Sequence, residues 1–290
     1  MSIVILTFKD IWAGWKDAPL SNHGTIQQAK AAGESLSAIP FSYIITSPLL
    51  RAYSTAQAIH SAQPESTRPV LISSPLLREQ HFGIAEGNKW TFTRELGLSD
   101  EGHWAKGIFP VLDGRQTKFP KGESLDDLRD RARQTVKDLV VPIIRDVVKE
   151  KKENVHVALV SHGLCISEVV AAVVALDYER RSKGLEVPDR QYAGLLNTAW
   201  TRVTINLADV SETAVDENGF PALSVKVTDV NCHKHLEGLK RQKGIGSQAH
   251  DPGQSDIRKF FGGGVINGEE NLEEGRAKSN ALDETMIPRS

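Results

Sequence analysis

The chain is poor in cysteine, in long apolar runs and in net charge, and each shortage excludes something. Two cysteines in 290 residues, Cys165 and Cys232, are too few for a disulfide framework and fit a reducing compartment. No apolar stretch approaches the roughly 20 residues that a membrane span requires. The leading stretch Met1 to Phe8 is short and lacks the basic region of a signal peptide. The formal net charge of -2 excludes a globally basic nucleic-acid binder, while leaving room for a local basic patch. No internal repeat is visible. These absences predict a cytoplasmic, or nuclear, protein with no membrane and no direct nucleic-acid partner.

What is present is ordinary for a globular chain: 40% hydrophobic and 25% charged residues, in a length that suits one large α/β domain or two small ones. Ile3 to Phe8 (IVILTF) is a continuous β-branched run and reads as a buried parallel strand. Ser21 or Asn22 can cap the helix that follows, with Ile26, Ala29, Gly33 and Leu36 on one face. Phe41 to Thr46 is a second strand, and Ser47-Pro48 predicts a helix with Ser47 as cap and Pro48 at its first position. Val70 to Ser73 is a short third strand. Residues 123 to 151 repeat Leu125, Leu128, Ala132, Val136, Leu139, Ile143 and Val147 at helical spacing, and Pro142 predicts a kink. Val155 to Ser161 is a fourth buried strand and Leu164 to Leu176 an apolar helix. Trp200 to Leu207 and Leu223 to Val230 look like later, partly edge strands. Strands alternating with helices predict a three-layer α/β/α domain with a mainly parallel sheet, over residues 1 to 231. From 232 to 290, Gly, Ser and charge dominate, and a mostly disordered tail is expected.

Ligands of parallel sheets bind at the carboxyl ends of the strands. Three such ends carry chemistry. In TSPLLRAYSTA, Arg51 falls in the first turn of a helix that follows a strand, a place for a phosphate cradle. On its own, such an arginine is more often a surface ion-pair partner. In LREQHFGIAEG, Glu79 precedes a Phe-Gly turn. Desolvation at a pocket rim would raise its pKa toward general-acid work, although a solvated loop glutamate is the commoner case. In VALVSHGLCISEVV, His162 stands where a buried strand turns into a helix, beside the positive end of that helix.

At these residues the sequence resembles the histidine phosphatase superfamily, the clan of phosphoglycerate mutases and related phosphomonoesterases. Five fragments carry the resemblance in the family's order: GWKDAPLSNHG, SPLLRAYSTA, LREQHFGIAEG, FPKGESLDDLRDR and LVSHG. It covers roughly residues 1 to 231. It implies a phosphoglycerate mutase-like fold, a small phosphorylated substrate and neither metal nor nucleotide cofactor. In the family a first histidine, within Arg-His-Gly, takes the phosphoryl group, an acidic residue protonates the leaving oxygen, and arginines and a second histidine hold the phosphate. The resemblance makes Arg51 a phosphate arginine, Glu79 the acid or base, and His162 the second histidine. It sets Asn197, in LLNTAW, near the same pocket.

One piece of the pattern is absent. The family has Arg-His-Gly directly after the first strand; here Lys9 follows Phe8 and Gly14 comes soon after. The five residues Lys9 to Ala13 span at most about 17 Å, which leaves no room for the phosphate loop. The departure is a deletion within the motif. A transcript that drops a short coding segment explains it, as does a genuine pseudoenzyme. His23-Gly24 does not follow a strand and reads as a capping or surface residue; His81 and His103 lie in loops near the expected mouth.

Two weaker signals complete the reading. Cys232, His233 and His235 lie close together, but zinc prefers four ligands and no second pair stands at a suitable spacing. In the tail, Gln254, Ile257, Phe260 and Phe261 form Q-x-x-I-x-x-F-F, which resembles the interaction box of sliding-clamp (PCNA) ligands. A catalytically inactive binding module that uses this motif is the competing expectation.

Overall fold

The computed structural model describes residues 11–17, 24–209 and 220–239. The expected strand at Ile3–Phe8, the cap at Ser21 or Asn22, His23 and the clamp-type motif lie outside the described residues. The helices are α1 (Gly24–Leu36), α2 (Leu50–Ser61), α3 (Asp100–Ala105), α4 (Leu125–Thr135), α5 (Val141–Lys149), α6 (Gly163–Val174) and α7 (Tyr178–Ser182). The strands are β1 (Phe41–Thr46), β2 (Val70–Ser73), β3 (Trp90–Thr91), β4 (Phe109–Pro110), β5 (His156–Val160), β6 (Trp200–Leu207) and β7 (Leu223–Cys232).

β1 is central among the described strands, with β2 and β5 parallel to it on either side. Alternate residues of β1 and β5 serve opposite faces, as the pleat requires. Ile45, Val157 and Leu159 pack with Leu128, Val136, Ile166 and Val170 from α4 to α6, while Ile44, Ala158 and Val160 pack with Leu36, Ala52, Ala56 and Ile59 of α1 and α2. Two separate apolar clusters on one sheet make the three layers. α1 approaches α2 through Gly33, where an added Cβ would meet the Ala58 carbonyl oxygen at 2.6 Å. Among the described strands β2 is an edge of this sheet, four residues long, with Val70 58% and Ile72 37% exposed. β6 and β7 form an antiparallel pair, and α7 is tied to it by Asp177, whose carboxylate accepts from Val225 N and Arg180 N.

Two local expectations need correction. α2 begins at Leu50, not at Pro48, and its N-cap is Leu49 without a side-chain bond. The freed Leu50 amide instead donates to the Asp17 carboxylate at 3.0 Å, a cap supplied from 33 residues away. The 123–151 helix is not simply kinked at Pro142. It passes through a π-helical turn, Val136–Val140, before resuming as α5, with Pro142 in the first turn of the new segment. The wider turn accommodates a ring that would otherwise clash with the carbonyl four residues back. The helix starts cleanly at a capping box between Ser124 and Asp127.

The excursion from Pro75 to Gly122 has its own small core of Trp12, Phe82, Ala85, Phe109, Val111 and Phe119. Trp12 joins it from the far end of the chain, donating its indole N–H to Phe109 O at 3.0 Å. His103, expected in a loop, is fully buried in α3 and pins the excursion: Ser99 O lies 2.8 Å from its Nδ1, and its Nε2 accepts from Glu95 N.

Candidate active site

The carboxyl ends of β1 and β5 bring Arg51, Glu79 and His162 together at the start of α6. Arg51 is the second residue of α2, which β1 feeds through Ser47 to Leu49. His162 is the N-cap of α6, directly after β5, with extended backbone that turns its ring back over the sheet end. Glu79 arrives on the loop after β2.

Arg51 and His162 are 6% and 3% exposed and contact each other: Arg51 Nε donates to His162 Nδ1 at 3.1 Å. A guanidinium always carries that proton, so Nδ1 is the bare ring nitrogen and the imidazole proton is on Nε2. Nε2 therefore donates to Ser47 Oγ at 2.8 Å. Burial, with Arg51 and Arg131 nearby, holds the imidazole well below its usual pKa, so it is neutral. Arg51 Nη2 donates to the Gly14 carbonyl at 2.7 Å, but Nη1 is buried with no hydrogen-bond partner among the described residues. Desolvation lowers the Arg51 pKa, opposed by the charges of Glu79, Asp17 and Glu86. A buried guanidinium nitrogen without an acceptor is costly. An anion supplied from outside would satisfy it.

Glu79 Oε1 accepts the backbone N–H groups of Gln80 (3.0 Å) and Cys165 (3.2 Å), which anchors the carboxyl to the first turn of α6. Burial raises its pKa, and these hydrogen bonds and Arg51 only partly offset that. The result is a carboxyl that keeps its proton to higher pH than a solvated glutamate, next to an arginine with a free donor. Such a set can hold an oxyanion and hand a proton to a departing oxygen.

The support behind Glu79 left little trace in the sequence reading. Arg131, on α4, donates to the carbonyls of Leu76 (2.8 Å), Arg78 (2.7 Å) and Glu79 (2.9 Å). It also grips Glu123 with two nitrogens, at 2.9 and 2.7 Å. Glu123 in turn accepts from His81 N at 2.9 Å. One ion pair thus fixes the backbone of the whole loop. The signal was there in GESLDDLRDR, but only as a helix start.

The opening segment lies over the site. Gly14 has φ 49°, and a Cβ there would fall 2.0 Å from Glu86 Oε1, so the close approach needs glycine. Glu86 Oε1 accepts from Trp15 N and Phe82 N. Trp15 donates its indole N–H to Glu79 O at 2.7 Å, and the Arg78 guanidinium covers its ring at 3.5 Å. His81 stacks on Trp15, with ring centroids 4.6 Å apart, rather than joining Arg51.

Asn197 is not bonded into this set. It lies in the turn before β6, and its Oδ1 is buried without a partner among the described residues. Cys165 is fully buried, its thiol pushed up to about 11 by desolvation, which makes it an inert packing residue. Cys232, His233 and His235 form no metal-binding group among the described residues, and His235 contacts Thr198 Oγ1. No helix among them is long and apolar enough to cross a membrane.

Residues 7–206 match the family model described as histidine phosphatase superfamily (branch 1). A 2,3-bisphosphoglycerate-dependent phosphoglycerate mutase 2 of Gloeobacter violaceus is 31% identical over 180 residues, covering 62% of this chain and 75% of its own length. Fructose-2,6-bisphosphatase TIGAR B of Danio rerio is 30% identical over 245 residues, covering 77% and 88%. Among solved structures, a mycobacterial glucosyl-3-phosphoglycerate phosphatase with inorganic phosphate superposes with a TM-score of 0.53 at 23% identity. It covers 81% of this chain and 98% of its own. That likeness establishes the same fold, a mainly parallel sheet between helices.

Proposed function

The chain belongs to the histidine phosphatase superfamily, and from that premise we propose that its cradle binds the phosphoryl group of a small phosphomonoester but turns it over poorly. The observation that carries the reading is Arg51 Nη1, buried and without an acceptor among the described residues, beside a neutral histidine at the start of α6. Arg51 holds the phosphoryl oxygens. His162 fixes Arg51 through Nε, and its own Nε2–H can turn from Ser47 Oγ to an oxygen of the ligand. Glu79, whose burial raises its pKa, supplies the proton to the leaving oxygen. Asn197 Oδ1, also without a partner among the described residues, is a further candidate for the substrate side. Two curated relatives are named for phosphoglycerate and fructose 2,6-bisphosphate chemistry, which supports phosphorylated small molecules as the class.

Poor turnover follows from the missing Arg-His-Gly. Losing a nucleophile from such a unit costs on the order of 10⁴ to 10⁶ in rate. The purified chain should therefore bind orthovanadate or phosphate by calorimetry yet hydrolyse an aryl phosphate barely above background. Insertion of an Arg-His-Gly loop after Phe8 should raise hydrolysis by orders of magnitude. No anion binding would overturn the reading of the cradle. Brisk hydrolysis without the insertion would overturn the reading of impairment.

A second reading rests on the spacing of Gln254, Ile257, Phe260 and Phe261, which lie outside the described residues. In that reading the tail engages a sliding clamp, and the domain serves as an inactive binding module.

A further inference from the structure

The chain itself already takes hold of Arg51. A guanidinium grips two oxygens at once through Nε with Nη2, or through Nη1 with Nη2. Nη2 belongs to both pairs, and it donates to the Gly14 carbonyl at 2.7 Å. Three residues on, the two oxygens of the Asp17 carboxylate lie 3.0 and 3.3 Å from the amide of Leu50, the residue before Arg51. Desolvation lowers the Arg51 pKa, and Asp17 is among the charges that oppose this. One four-residue stretch, Gly14 to Asp17, thus brings a carbonyl and a carboxylate to the guanidinium and the helix start beside it. An arriving oxyanion would compete with both.

Given the cradle as read above, we propose that Gly14–Asp17 is an autoinhibitory strap. The Gly14 carbonyl takes Nη2 in place of a ligand oxygen, and Asp17 pins the strap to α2, so that Asp17 sets the affinity of the cradle for a phosphoryl group. The strap is anchored behind these contacts. Trp12 N donates to Asn88 O at 3.0 Å, Gly87 N donates to Trp12 O at 2.8 Å, and the Trp12 ring is buried in the core of the excursion. The Gly14 carbonyl shares a peptide unit with the Trp15 amide, which Glu86 holds at 2.8 Å. Asp17 is the lighter end. It is exposed, and its carboxylate returns to water at little cost on release. With Trp12 fixed, a released strap stays beside α2 as a tethered competitor, at an effective concentration no free ligand of the same strength matches.

The test is calorimetric titration of the full-length chain with orthovanadate. Asp17→Ala should tighten binding about two- to fivefold, the worth of a carboxylate at a helix start, while the lost cap lowers the melting temperature. Affinity and stability then move in opposite directions, which general loosening of the fold would not produce. Leu50→Pro approaches the same contact from the other side. It keeps the Asp17 charge but removes the amide that holds it. Proline is accommodated at the first helical position, and Leu49, at φ -65° and ψ 131°, already has the extended backbone that precedes a proline. This variant should tighten binding too, and it decides alone should Asp17→Ala fail to fold. Arg51→Met separates the two readings. Vanadate affinity that ignores Arg51→Met overturns the cradle, and the strap with it. Affinity that falls with Arg51→Met but is unchanged or weaker in Asp17→Ala and Leu50→Pro overturns the strap alone. Tightening by Asp17→Ala without any by Leu50→Pro assigns the effect to charge and overturns the strap as well.

Discussion

Two arginines flank Glu79, one buried and one largely so, and they are built in opposite ways. Arg131 spends its donors within the chain, on three carbonyls and the Glu123 carboxylate, and Glu123 raises its pKa against the effect of burial. Among the described residues Arg51 meets only a histidine and one carbonyl and leaves Nη1 without an acceptor, and desolvation lowers its pKa. An arginine that serves the scaffold is satisfied at home. One that serves a ligand is left incomplete, and the scaffold bears the cost. The comparison separates stability from binding along one short line of residues.

The largest effect should come from the satisfied member. Arg131→Met leaves Glu123 as an uncompensated, mostly buried carboxylate and frees three carbonyls, a loss of about 3 to 5 kcal/mol. In a domain of this size that is a fall in Tm of roughly 10 °C or more, checked by calorimetric melting. Arg51→Met should do the reverse. Stability should change by less than about 1 kcal/mol, because a desolvated charge with an orphaned donor is removed. Vanadate affinity should fall about 10- to 100-fold with the loss of a charge-assisted pair. If Arg51→Met unfolds the protein while Arg131→Met only weakens vanadate binding, the distinction collapses.

Smaller effects follow from pH. The Glu79 pKa is raised in the fold, so the folded state holds more protons and stability falls as pH rises from the ordinary carboxylate range through the raised value. Glu79→Gln should flatten that slope in urea melts followed across pH. The His162 pKa is lowered, so its contribution is complete above about 6.5 and is lost as pH falls below that toward the depressed value. Variants at the two residues should bend the profile in opposite directions. Smallest for the domain is the tail: on the sliding-clamp reading a His250–Gly264 peptide binds a clamp at about 1 μM, about -8 kcal/mol, and Phe260→Ala with Phe261→Ala should abolish that binding and leave the Tm of the full chain unchanged.

Strand ends brought Arg51, Glu79 and His162 forward, but placement alone favoured function only for His162; the five fragments of the family resemblance assigned the roles of all three. Sequence reasoning missed Arg131 as a hub because carbonyl acceptors belong to every residue and leave no compositional mark. Their partners also lie 52 to 55 positions away in the chain. Ser47 was legible as a cap by type, and its hydroxyl does accept from Leu49 N at 3.3 Å, but its shorter contact, 2.8 Å, is to His162 after β5. Pro142 announced an irregularity without its form, since a kink and a wider turn relieve the same clash. The cap that α2 does receive, from Asp17, depends on where the opening segment lies, which no window of neighbouring residues contains.

The edge strand β2 has a consequence for how the protein behaves when concentrated. Its outward rim exposes Val70 and Ile72, the kind of surface that recruits a stranger's backbone and seeds fibrils. Yet the strand has four residues, and Pro69 and Pro75 stand on either side of it. A proline offers no N–H, so an incoming chain finds a ladder that runs out after a few rungs. Contact through this rim is therefore short and self-limiting, and a proline-to-alanine exchange at 69 would lengthen the sticky edge without touching the cradle.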